Sequence, residues 1–74
     1  MNRYQFTAIL IKEDPYYIAR CAELGVVSQG ETVESALANL REAMELYIED
    51  IPQEELQVYT HRSSMVAPLE LEYA

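Results

Sequence analysis

Apolar residues recur at intervals of three and four from Thr32 to Ile51: Val33, Ala36, Leu37, Leu40, Ala43, Met44, Tyr47, Ile48 and Ile51. That spacing follows the 3.6-residue period of an amphipathic helix and gathers the nine side chains into one stripe. Thr32 is suited to cap the helix, its hydroxyl accepting an orphan backbone N–H. Pro52 disfavours helical geometry at Ile51 and ends the ladder. Burying Leu37, Leu40, Met44 and Ile48 stabilises by roughly 1.5–3 kcal/mol each, so the stripe predicts a second layer beneath it.

Upstream of the helix the period shortens to two. From Arg3 to Lys12, Tyr4, Phe6, Ala8 and Leu10 alternate with Gln5, Thr7, Ile9 and Ile11, the pattern of a strand. Its second half is apolar on both faces, which predicts a central position rather than an edge. Glu13-Asp14-Pro15 reads as a turn. Tyr16 to Ala22 is a second strand, with Tyr17, Ala19 and Cys21 on one face and Tyr16, Ile18 and Arg20 on the other. Glu23-Leu24-Gly25 interrupts it, Val26 to Gln29 forms a short third strand, and Gly30 turns the chain into the helix. The tight first turn predicts antiparallel pairing.

After Pro52 a polar link leads to Leu56–Tyr59, whose pattern fits a helical turn and a short strand equally. Met65, Ala67, Leu69, Leu71 and Tyr73 then alternate with Val66, Pro68, Glu70 and Glu72, predicting a fourth strand. Pro68 restricts it to an edge or an inter-chain position, and Arg62-Ser63-Ser64 forms a joint that lets this arm reach a neighbouring subunit. The chain therefore divides into a core over 1–52, a linker over 53–64 and a C-terminal strand over 65–74. The predicted class is α+β: an antiparallel sheet of three to four strands packed on one long helix, in the order β-β-β-α-β.

Size and charge sharpen this picture. The chain has 74 residues, and one this small buries only about 60% of its unfolded surface, so the gain from burial roughly cancels the cost of ordering it. Cys21 is the single cysteine, which excludes a disulfide framework. Association into a homo-oligomer, dimer or tetramer, is the remaining source of burial, with Met65, Leu69, Leu71 and Tyr73 as its contacts. The free thiol and the lack of a signal-peptide pattern predict a cytoplasmic protein, and no apolar run approaches the roughly 20 residues of a membrane span. The net charge is −8. Through Gly30 three bases balance three acids; from Glu31 onward ten acids face only Arg41 and Arg62. Such a surface repels phosphate backbones, arguing against direct nucleic-acid binding, and attracts a basic protein.

Candidate chemistry is sparse. His61 is the only histidine, in a polar stretch that predicts a surface role. Cys21 falls in a strand pattern with no base beside it, which predicts an inert buried thiol. The carboxylates have the spacing of a solvated helix face and two tails rather than of a metal site or an acid–base pair. No catalytic, metal or cofactor-binding set emerges, and the expectation is a protein that is not an enzyme. The binding candidates are Glu13, Asp14 and Tyr16 at the first turn, with Glu45 and Glu49 on the helix. Glu45 and Glu49 form a like-charge i, i+4 pair, and Glu49 and Asp50 oppose the helix dipole; a basic partner would relieve both. Tyrosines such as Tyr16 and Tyr17 suit interfaces.

The run from Phe6 to Asp50 resembles the HicB-like antitoxin family of type II toxin–antitoxin systems. The resemblance rests on an acidic turn, the aromatic pair Tyr16-Tyr17, a corner with Cys21, Glu23 and Leu24, the stretch Ser28-Gln29-Gly30-Glu31-Thr32, and a helix carrying Glu34, Ala36, Leu37, Asn39, Leu40, Glu42 and Ala43. It covers about three-fifths of the chain. It implies a partial ribonuclease-H-like β-β-β-α-β domain that works by binding. The family's partner is a small basic mRNA-interferase toxin, HicA-like, with a double-stranded-RNA-binding-like fold. No helix-turn-helix or ribbon-helix-helix pattern follows Pro52, so the likeness is to the short form without a DNA-binding domain. The expected function is neutralisation of such a toxin by covering its RNA-binding surface. The alternative is a stand-alone homo-oligomeric binding or scaffold domain with no toxin partner.

Overall fold

The computed structural model describes residues 4–60 and 63–73. Three strands, β1 (Ala8–Glu13), β2 (Tyr16–Cys21) and β3 (Val27–Gly30), precede the helices α1 (Val33–Glu49) and α2 (Gln53–Thr60). The strands form one antiparallel sheet in the order β1-β2-β3. The class is α+β, with the long helix packed on the sheet.

Register decides which side chains meet the helix. Ala8 lies opposite Cys21, Leu10 opposite Ala19 and Ser28 opposite Ala19. Directly opposed residues share a face, so these side chains form the face beneath α1. Ile9, Ile11, Ile18, Arg20 and Val27 share the other. Ala19, Cys21, Ala36 and Leu40 make the buried core, with Phe6, Tyr17, Leu24, Val26 and Met44 packed around it. The core is built from small residues because the two layers come close.

The closest approach is at Gly30. A Cβ there would collide with the Ser35 hydroxyl and stand 2.5 Å from the Ala36 nitrogen, so only glycine admits the first turn of α1. That turn is closed by a reciprocal cap: the Thr32 hydroxyl accepts from the Ser35 N–H at 3.0 Å and the Ser35 hydroxyl accepts from the Thr32 N–H at 3.0 Å. One turn later the Asn39 amide donates to the Gln29 carbonyl at 2.8 Å, tying the helix to β3.

Three features differ from the sequence expectations, and one open alternative is resolved. β1 begins at Ala8, and the residues before it are held by a side chain instead of a ladder: the Thr7 N–H donates to Glu23 Oε1 at 2.8 Å while its carbonyl accepts from Ala22 at 2.9 Å. β1 is an edge strand, not a central one; β2 is central, because it pairs with β1 on one side and β3 on the other and no described residues pair with the far side of β1. The undecided stretch after Pro52 is helical, with Glu54 and Glu55 in its first turn, where the dipole favours anions. Finally, Met65 to Tyr73 form no strand: residues 65–73 are exposed throughout and lack a ladder partner. The radius of gyration is 14.2 Å, against about 11 Å for a compact chain of this length, as befits an arm standing off the body.

Gly30→Ala is expected to destabilise the domain by about 1–3 kcal/mol, the range for forced overpacking. Thermal unfolding by circular dichroism should show a midpoint lower by on the order of 10 °C.

Candidate protein-binding surface

Because α1 lies over β3 and β2, one flank of its apolar stripe is left uncovered on the β1 side. There the structure has a cleft of about 500 Å³, walled by Tyr4 and Phe6 on one side and Leu37, Met44 and Ile48 on the other. Leu37 is 37% exposed, and Met44 and Ile48 are only half-buried. The predicted burial of the whole stripe is therefore incomplete at Leu37, Met44 and Ile48, which face this cleft, and at Tyr47, which is 45% exposed. Leu40, at the centre of the stripe, is buried as expected.

Cys21 lines the cleft, and Glu23 lies beside it. The Cys21 thiol is fully buried, donates to Glu23 Oε1 at 3.6 Å and has its pKa pushed up by burial and by the neighbouring carboxylate, so it stays a protonated, unreactive thiol. Desolvation also acts on Glu23, pushing its carboxyl up. Hydrogen bonds from the Thr7 N–H and from the Ser64 and Thr7 hydroxyls outweigh that effect and hold the pKa down to about 2. Ser64 thus stands at the Glu23 corner, and the exposed arm departs from beside the start of β1.

The five candidate binding residues fall into two groups. Glu13, Asp14 and Tyr16 lie at the β1–β2 turn, where Lys12 Nζ approaches Asp14 Oδ1 at 3.9 Å and the Asp14–Pro15 peptide is cis. Tyr16 borders a shallow recess with Gln29, Glu31 and Asn39 at the N-terminal end of α1. Glu45 and Glu49 lie toward the other end; at 1.5 Å per residue Glu49 is about 21 Å along the axis from Ser35. Glu45 and Arg41 rim the cleft. Glu34, Glu42, Glu45, Glu49, Asp50, Glu54 and Glu55 are all exposed, and among the described residues no ion pair neutralises them. Met65, Leu69, Leu71 and Tyr73 are on the free arm, and His61 lies outside the described residues.

Sequence reasoning missed two surfaces. One is the cleft; the other is the open sheet face, where Ile11 and Val27 are 51% and 54% exposed beside Ile9 and Ile18. The signal for both was present in β1, whose two apolar faces mark a strand with contacts on every side. By contrast, the residues that carried the family resemblance hold the fold together: Glu23 pins the corner, Gly30 admits the helix, Thr32 caps it and Asn39 fastens it to β3.

These features define a small α+β domain with an acidic helix face, an open apolar sheet face and an uncovered edge. Among the described residues no cluster of histidine, cysteine or carboxylate side chains has the makings of a metal site, and no helix is long and apolar enough to cross a membrane. The chain belongs to the UPF0150 family. It is 40% identical over 68 residues to a UPF0150 protein of Helicobacter pylori, an alignment covering 90% of this chain and 94% of that one. It is also similar to two UPF0150 proteins of a Synechocystis species: 45% identical over 64 residues, covering 74% of this chain and 81% of the relative, and 38% over 56 residues, covering 73% and 81%. No family model and no solved structure matches the chain.

Glu23 gives the acid limb of stability a specific origin. Its folded pKa of about 2 lies below the unfolded value of 4.5, so its contribution is fully present above pH 4.5 and is lost as pH falls toward 2. Glu23→Gln is expected to be less stable than the parent at pH 7 and to lose less stability between pH 4.5 and 2, as read from denaturant midpoints across that range.

Proposed function

We propose that this chain is a HicB-like antitoxin: an acidic module that binds a small basic mRNA-interferase toxin and neutralises it by covering its RNA-binding surface. The observation that carries the reading is the row of exposed, unneutralised carboxylates along α1 and into α2. An RNA-cleaving toxin must present cations to phosphates. A partner that offers fixed carboxylates to those same cations competes directly with RNA. The like-charge pair Glu45 and Glu49, unfavourable in the free helix, becomes favourable when a lysine or arginine is brought against it.

Mechanistically the inhibition is steric and electrostatic. The net charge of −8 steers a cationic partner and raises the rate of encounter. Contacts at the acidic face then fix it in place, and an aromatic such as Tyr16 supplies apolar area at low entropic cost. Because the Glu13–Tyr16 turn and the Glu45–Glu49 helix end are far apart, one small toxin engages one group, and Glu45 and Glu49 are the better placed, continuous with Glu42 and the acids of α2. The second reading, a stand-alone homo-oligomeric scaffold, is favoured by the apolar open face around Ile11 and Val27. It needs no basic partner.

Co-expression with the adjacent reading frame for a small basic protein separates the two. Growth arrest by that frame should be relieved by this chain, and relief should weaken with the double reversal Glu45→Lys and Glu49→Lys. Exposed pairs are worth about 0.2–1 kcal/mol each, so two reversals should raise Kd by roughly two- to thirty-fold, and added salt should weaken the parent complex more than the variant complex. Toxicity unchanged by the parent chain would remove the antitoxin reading.

A further inference from the structure

We infer that the empty edge of β1, together with the cleft between β1 and α1, is the seat for the C-terminal arm (65–73) of a second copy of this chain, and that two copies exchange arms. The argument begins with two expectations that fail in the single chain. β1 is apolar on both faces, as a central strand is, yet stands at an edge. The stripe on α1 should be buried, yet Leu37, Met44 and Ile48 face an open cleft of about 500 Å³. One added strand beside β1 resolves both, since it would make β1 internal and cover that flank of the helix.

The chain carries a segment of matching form. Met65, Ala67, Leu69, Leu71 and Tyr73 point to one side of an extended strand, and Leu69, Leu71 and Tyr73 are 84%, 80% and 100% exposed. Laid against β1, this side meets Leu37, Met44 and Ile48, while Glu70 and Glu72 fall on the open face that carries Arg20. Residues 65–73 extend about 30 Å at the strand rise, which matches β1 with its lead from Tyr4. Pro68, which lacks an N–H, fits a strand added at an edge with that position directed outward.

The occupant is a second copy because each chain has both the free arm and the empty seat. In its own chain the arm starts beside the seat, where Ser64 faces Glu23, and then stands away, leaving the seat vacant. Reciprocal exchange about a two-fold axis fills both seats with no further part. It also supplies the burial that the chain lacks, since the buried hydrophobic residues described are only Ala19, Cys21, Ala36, Leu40 and Leu56. This inference goes beyond the antitoxin reading and stands without a toxin.

The test uses full-length chains in which Cys21→Ser removes the native thiol. One carries Leu37→Cys in the cleft and the other, with a different affinity tag, carries Leu69→Cys or Leu71→Cys on the arm. Mixed and mildly oxidised, they should give a disulfide-linked heterodimer. A disulfide that forms only within a chain carrying both substitutions would overturn the inference, because the arm would then occupy its own edge. Native mass gives a second readout: the full chain should run at twice its 8.5 kDa or more, and a chain ending at Ser64 that keeps its circular dichroism should fall to monomer mass. A full-length monomer, or a truncated chain that keeps the parental mass, would equally sink it.

Discussion

The close approach of α1 to β2 and β3 is the constraint from which the rest of this structure follows. Gly30 has no Cβ, Ala19 and Ala36 have nothing beyond one, and the Thr32–Ser35 cap and the Asn39 clamp fix the helix in that position. A helix seated this far toward β3 does not reach across to β1. The cleft is thus not a packing fault but the geometric result of a short sheet with its one long helix set to one side.

The two sheet edges are handled differently, and the difference has physical content. An unpaired edge exposes a row of backbone donors and acceptors and invites another strand. At β3 the Asn39 amide satisfies the Gln29 carbonyl and α1 crowds the strand. At the start of β1 the Glu23 carboxylate takes the Thr7 N–H, which defines where pairing with β2 ends. Along the free edge of β1 no described residue pairs, and only Lys12 and Glu13 at its end bring charge, whereas Ile9 and Ile11 bring none to discourage a partner. One edge is closed and the other is left open, which is how a sheet directs association to a single side.

Much of the fold is legible in the sequence because it rests on short-range chemistry. The helix boundaries follow from Thr32 and Pro52, the strand pairing from the tight turn at Asp14–Pro15, and the facing of Tyr17, Ala19 and Cys21 from simple alternation. What could not be read depends on long-range placement. Whether β1 is central or at an edge is decided by which strands lie beside it, and a period-2 pattern reports burial without naming the neighbour. The same holds for Met65 to Tyr73, where alternation records an appetite for a layer that the chain itself does not supply. Leu37, Met44 and Ile48 carry the helical period, yet the sheet does not fully cover them, because a period reports an apolar face and not whether the layer beneath reaches it. Leu56–Tyr59 was ambiguous because four residues are too few for either period to declare itself.

Acid excess and apolar exposure place opposing demands on association. Two copies of a chain with net charge −8 repel one another, so self-association must be held by ladder hydrogen bonds and buried apolar area, both insensitive to salt; screening relieves the repulsion and favours it. Binding a cationic partner draws on attraction between unlike charges, and screening opposes it. The carboxylates of α1 are turned to solvent, whereas the β1 edge and the arm's apolar side are nearly free of acids. The chain therefore keeps its apolar edge and its acidic helix face apart, so that on the two proposals above a second copy and a basic protein would not compete for one surface.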